Sequence, residues 1–239
     1  SECTNFNQPL NNWNVSNVVN MEMMFSECKK FNQPLNDWNV SNVTDVKYMF
    51  HDCEKFNQPL NDWNVSNIGN MSGMFSNCRQ FNQLINDWNV AKVKNMTFMF
   101  SGCKNFDQPL NNWNVSNVTD MSFMFFVCTN FSQPINNWNV SNVENIDHVF
   151  TCCDKINKQD FLILLIEKNK ICALDELRKY TSLLIKIYCM VKNKEFIMDN
   201  INNYQKNKIQ YYIDNSIIDI CKVCYLETNC VDDICGLCS

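Results

Sequence analysis

The residues best suited to chemistry crowd the last stretch of the chain, Cys221-Lys-Val-Cys-Tyr-Leu-Glu-Thr-Asn-Cys-Val-Asp-Asp-Ile-Cys-Gly-Leu-Cys-Ser239. Two C-x-x-C pairs, Cys221/Cys224 and Cys235/Cys238, flank a ten-residue loop. Two such knuckles supply four thiolates, the ligand set of a tetrahedral structural zinc site. A tail this short has no core of its own, so metal binding would supply its folding energy. The expected cofactor is therefore a structural zinc on Cys221, Cys224, Cys235 and Cys238, with Cys230 as a spare ligand. Free or oxidised thiols are the alternative.

Elsewhere the chain offers little for catalysis. Its two histidines, His51 and His148, have no periodic partner, and four glycines do not make a phosphate-cradling loop. No Ser/His/Asp or Cys/His constellation can be assembled from the spacings, so no enzyme is expected. The net charge of −5 comes without a basic stripe, which argues against nucleic acid. The longest apolar run, Phe161-Leu-Ile-Leu-Leu-Ile166, is far short of the roughly 20 residues that span a bilayer.

The elements that must position any site are repeats. Phe6, Phe31, Phe56, Phe81, Phe106 and Phe131 recur every 25 residues. So do Trp13, Trp38, Trp63, Trp88, Trp113 and Trp138, which are all the tryptophans of the chain. Cys3, Cys28, Cys53, Cys78, Cys103, Cys128 and Cys153 mark a third register. A fixed period of this length predicts a solenoid, in which each unit buries its apolar face only against its neighbours. The chain opens on Ser-Glu-Cys, as at Ser26-Glu-Cys28, and so reads as a piece of a longer array.

Within a unit, Trp13 and Val15 are spaced as in a strand with one buried face, leaving Asn12, Asn14 and Ser16 outward. Met21, Met24, Phe25 and Cys28 are spaced as in a short helix or 3₁₀ turn on the opposite side. Pro9, Pro34, Pro59, Pro109 and Pro134 block continuation of that helix. The expected fold is an α/β repeat solenoid, a leucine-rich-repeat-like right-handed coil. It has a parallel sheet on one face and short helices on the other, followed by an α-helical C-terminal segment.

Two outward columns are candidate partner-binding surfaces. One holds Asn14, Asn39, Asn64 and their equivalents, either as contacts or as an amide ladder between coils. The other holds Asp37, Asp62 and Asp87, whose charge makes it the better contact. The variable positions Tyr48, Phe98, Phe123 and Phe126 form a third candidate, as an exposed apolar patch. The seven periodic cysteines sit in an apolar register, where a free thiol behaves as a small hydrophobe. Asn14-Val-Ser16 recurs as a sequon in five of six repeats, too dense for glycans at every rung. A reducing, intracellular compartment is expected, with a bacterial cell surface or virion as the alternative.

Trp38-Asn-Val-Ser-Asn-Val-Thr-Asp-Val46, followed by Met49-Phe50-x-x-Cys53, resembles the BspA-like branch of the leucine-rich-repeat superfamily. It is closest to the 25-residue subfamily of bacterial surface proteins and large DNA viruses. That resemblance covers about residues 1–153 and implies a protein-binding or adhesive role. In the tail, Cys221-Lys-Val-Cys224 and Ile234-Cys-Gly-Leu237 resemble parts of a RING finger, which implies a ubiquitin ligase. Leu237 stands where that family has a zinc-binding His, and the chain stops before a final Cys pair.

Three parts follow: a solenoid of six repeats over 1–154, a helical cap or linker over 155–220, and the Cys-rich end over 221–239. The functional expectation is a non-enzymatic protein-interaction scaffold. A substrate-recognition array of a RING-type ligase and a structural or adhesive surface element are the competing readings.

Overall fold

The computed structural model describes residues 3–156, so the helical segment expected over 155–220, apart from its first two residues, and the zinc tail lie outside the described residues. What is described is a stack of six coils, joined at five junctions by hydrogen bonds between residues about 25 apart.

The coils are built from turns. Among the described residues there is no helix, and strand pairing is confined to isolated parallel bridges linking Asn20, Asp45, Asn70, Asn95, Asp120 and Asn145. This overturns the expected sheet-and-helix solenoid. In the second coil, backbone N–H groups of Trp38, Val43, Met49, His51, Cys53 and Phe56 each donate to the carbonyl three residues earlier. Such i→i+3 bonds close β-turns. A run of turns places its corner residues three or four apart, as a helix does, so the spacing Met21, Met24, Phe25, Cys28 misleads. The i, i+2 spacing of Trp and Val misleads likewise. It reflects a side-chain alternation between two successive turns, Leu35–Trp38 and Val40–Val43.

The backbone ladder between coils falls on the segment expected to be helical. Met21, Met23, Phe25 and Glu27 donate to the carbonyls of Asp45, Lys47, Met49 and His51 at 2.7–2.9 Å, and the pattern repeats at each junction. Alternate N–H groups thus serve the next coil while those between close turns within their own. Two positions per coil must take a positive φ to allow this. One column is Met23, Tyr48, Gly73, Phe98, Phe123 and His148; the other is Glu27, Asp52, Asn77, Gly102, Val127 and Cys152, all between 51° and 72°. These are the i+2 corners of type II turns. Only two of the twelve are glycine, so nothing in the sequence flags the columns as turn corners.

The core is a set of stacked side-chain columns. Phe25, Phe50, Phe75, Phe100, Phe125 and Phe150 stack at 5.5–5.8 Å between coils. Each of the first five also lies 4.0–4.3 Å from the Phe six residues on, as Phe75 does from Phe81. Phe31 through Phe131, Val43, Val46, Ile68 and Met99 are essentially inaccessible. Each fully buried side chain of this size contributes roughly 1.5–3 kcal/mol, and offset stacking adds to it.

The polar atoms of the buried Trp and Cys columns have partners in the preceding coil. Trp38, Trp63, Trp88, Trp113 and Trp138 donate Nε1–H to the carbonyls of Leu10, Leu35, Leu60, Ile85 and Leu110, 28 residues earlier, at 2.8–3.2 Å. Cys53, Cys78, Cys103 and Cys128 donate Sγ–H to the carbonyls of Phe25, Phe50, Phe75 and Phe100 at 2.7–3.0 Å. These cysteines are free, as the thiol-ladder reading expects. Burial pushes the thiols of Cys53, Cys78, Cys103 and Cys128 well up.

Candidate functional site

The Asn column is exposed but committed. The Oδ1 of Asn14, Asn39 and Asn64 accepts from the backbone N–H of Ser16, Ser41 and Ser66 at 3.1–3.2 Å. Asn89, Asn114 and Asn139 do the same. These are Asx turns, which hold a corner through a side chain. Through Oδ1 the column is therefore a within-coil brace and not an amide ladder between coils. True inter-coil amide ladders run elsewhere. Asn32, Asn57 and Asn82 receive the N–H of Asn57, Asn82 and Asp107 at 2.9 Å. Asn42, Asn67, Asn117 and Asn142 donate Nδ2–H to a carbonyl of the preceding coil at 2.7 Å.

Asp37, Asp62 and Asp87 are exposed in one column. Asp62 accepts from the Nδ2 groups of Asn36 and Asn61, and Asp87 accepts from Asn112 at 3.2 Å. The face is polar and open.

The third candidate is where the structure builds a shape. Phe98 and Phe123 stack at 4.6 Å, Phe123 meets Phe126 edge-on at 5.7 Å, and Phe123 stacks on His148 at 4.8 Å. These rings are half-buried, not the fully exposed patch expected. Tyr48 is cut off from them by Gly73. Its ring lies over that glycine, 2.1 Å from where a Cβ would stand, and meets His51 edge-on at 5.4 Å.

Beside this break lies a notch of 410 Å³ lined by residues of neighbouring coils. Its origin is legible in one column: His51, Ser76, Ser101 and Phe126 occupy equivalent positions. Two small residues between two large ones leave a gap two rungs wide. Ser76 and Ser101 form its floor, 6% and 7% exposed. Tyr48 and His51 stand on one side, Phe98 and Phe126 on the other, with Arg79 and Lys104 at the rim. Reading the repeats for what they share hides this site, because it is made by where they differ.

The metal-ligand candidates Cys221, Cys224, Cys235 and Cys238 lie outside the described residues. Among the described residues, no group of three or more His, Cys, Asp or Glu is placed to hold a metal. No described helix is long and apolar enough to cross a membrane.

Compared with known proteins, the chain finds no match among curated sequences or solved structures. It does match the family described as "Mycoplasma protein of unknown function, DUF285" over residues 1–83 and again over 58–161, a relative of the BspA-type repeat proteins. The two matches overlap and together take in every coil of the stack, with its Trp, Phe and Cys registers. The chain therefore belongs to the DUF285 repeat family.

Proposed function

We propose that the protein is a non-enzymatic scaffold that binds a protein partner through the turn-ladder face. The observation that carries this reading is the distribution of variation. Buried columns are nearly copied, as in Met21, Val46, Met71, Met96, Met121 and Ile146, whereas the adjacent outward column runs Met23, Tyr48, Gly73, Phe98, Phe123 and His148. A rigid frame that changes only what it displays is suited to recognition. The charges there vary too: Lys47 pairs with Glu22 at 2.9 Å, while Glu54 lies between Lys29 and Arg79 at 3.6 and 3.8 Å. The buried free thiols support a reducing compartment. The structural zinc of the tail rests on the spacing of its four cysteines alone.

Photo-crosslinking distinguishes this face from the Asp column. With p-benzoylphenylalanine in place of Phe123, discrete adducts should form in the cell that expresses the chain. The same probe in place of Asp37 should give none. Adducts at Asp37 alone would move the binding face, and adducts at neither position would reject the scaffold reading.

A further inference from the structure

We propose that the notch between the His51 and Phe126 rungs binds a small aromatic anion, a carboxylate or phosphate carried on a flat ring. The floor supplies the polar contacts. Ser76 and Ser101 are more than nine-tenths buried, yet among the described residues neither hydroxyl has a hydrogen-bond partner. Both residues line the same cavity, where a hydroxyl can serve a ligand. The Nδ1 of His51 is buried without a partner, while its Nε2 faces the Asp52 carboxylate at 3.3 Å. The two hydroxyls facing one space can donate to a ligand's acceptor oxygens.

The walls select a ring. Phe98 and Phe126 are held by their contacts with Phe123, and Tyr48 by its contact with His51. Side chains braced in this way lose little freedom on binding. The rim selects the charge. Arg79 and Lys104 are cationic, and no acidic side chain lines the cavity, in a chain whose net charge is −5. Glu54 approaches Arg79 no nearer than 3.8 Å and also faces Lys29, so Arg79 keeps donors for a carboxylate or phosphate. The volume of 410 Å³ falls in the range of small-molecule sites. The inference goes beyond the scaffold reading and does not depend on it, since a chain that captures no protein can still take up a small anion.

The test is a ligand-observed NMR titration of the full chain with four probes: benzoate, phenyl phosphate, inorganic phosphate and benzamide. The two aromatic anions should bind at least tenfold more tightly than the ringless anion or the neutral amide, a difference of about 1.4 kcal/mol. Ser101→Phe copies the residue its own column carries at Phe126, so the coil has a precedent for it. It should abolish binding with an unchanged melting midpoint. If that variant fails to fold, Arg79→Glu with Lys104→Glu, both on the exposed rim, should weaken the anions tenfold and leave benzamide unaffected. Equal affinity for benzoate and benzamide would overturn the anion preference. Absence of binding by any probe up to about 10 mM, the affinity expected of so small a ligand, would overturn the site. Undiminished binding in the variants would do so too.

Discussion

Each tryptophan from Trp38 to Trp138 does two jobs: its ring fills the core, and its Nε1–H crosses to the preceding coil. The two contributions separate by substitution. Trp63→Phe keeps most of the buried ring but gives up the bond to the Leu35 carbonyl. That carbonyl retains the turn bond from Trp38, so the loss should be only about 1 kcal/mol. Trp63→Ala also leaves a cavity and should cost about 3–5 kcal/mol. Urea unfolding of both variants checks this, and equal losses would assign the whole effect to the hydrogen bond. The in/out pattern at this scale was legible beforehand: Trp38 and Val40 are buried and Asn39 is exposed, as the alternation demands. The carbonyl partner 28 residues away was not, because it depends on the path of the backbone between coils.

At the scale of the element, the reading of the sequence went wrong for a definite reason. Helices and successive turns both bring every third or fourth residue to one side, and ordinary residues occupy ten of the twelve positive-φ corners. Val127 is the least suited of them, since a β-branched residue pays most in the left-handed region. Its column holds Asn77 in an equivalent corner, and Asn tolerates this conformation. Val127→Asn should therefore raise stability by about 0.5–1 kcal/mol, read as a higher melting midpoint. A lower midpoint would mean that the contacts of the Val side chain outweigh the backbone strain. The notch escaped for a related reason. Ser76, Ser101 and Gly102 look like small departures from a consensus, and only stacking in register turns small residues between large ones into a cavity.

For the whole molecule, period, coil count and the ladder of free thiols follow from the sequence, because the spacing of 25 survives whatever backbone closes each coil. The thiol ladder makes the stack sensitive to alkali. Burial raises the thiols of Cys53, Cys78, Cys103 and Cys128 above their ordinary value of 9.0. A raised folded-state value means that the unfolded chain releases protons first. The stability is thus fully present below pH 9 and is lost as the pH climbs beyond it. Each of the four thiols adds to that loss, so the alkaline sensitivity belongs to the stack as a whole. The melting midpoint should fall steeply between pH 9 and 10.5, and Cys103→Ala should flatten that fall by about a quarter. A midpoint that stays level across this range would show that the thiols are not buried together.

The turn ladder also has an electrical sense. At each of five junctions, four backbone N–H groups point to the following coil and the matching carbonyls point back. In a β-sheet successive peptide units alternate and their dipoles largely cancel. Here the units ending at Met21, Met23, Phe25 and Glu27 are aligned, and so are their counterparts in the four coils that follow. Fewer backbone bonds run the other way, such as Thr44 N–H to the Val19 carbonyl, so the ladder segment leaves a net polarity along the stack. A surface meeting the Met21 end finds carbonyl oxygens and must bring donors, whereas each following coil is met with N–H groups and answers with acceptors. Head-to-tail addition satisfies both demands; head-to-head addition satisfies neither. The direction of stacking is thus written into the peptide units as well as into the side chains.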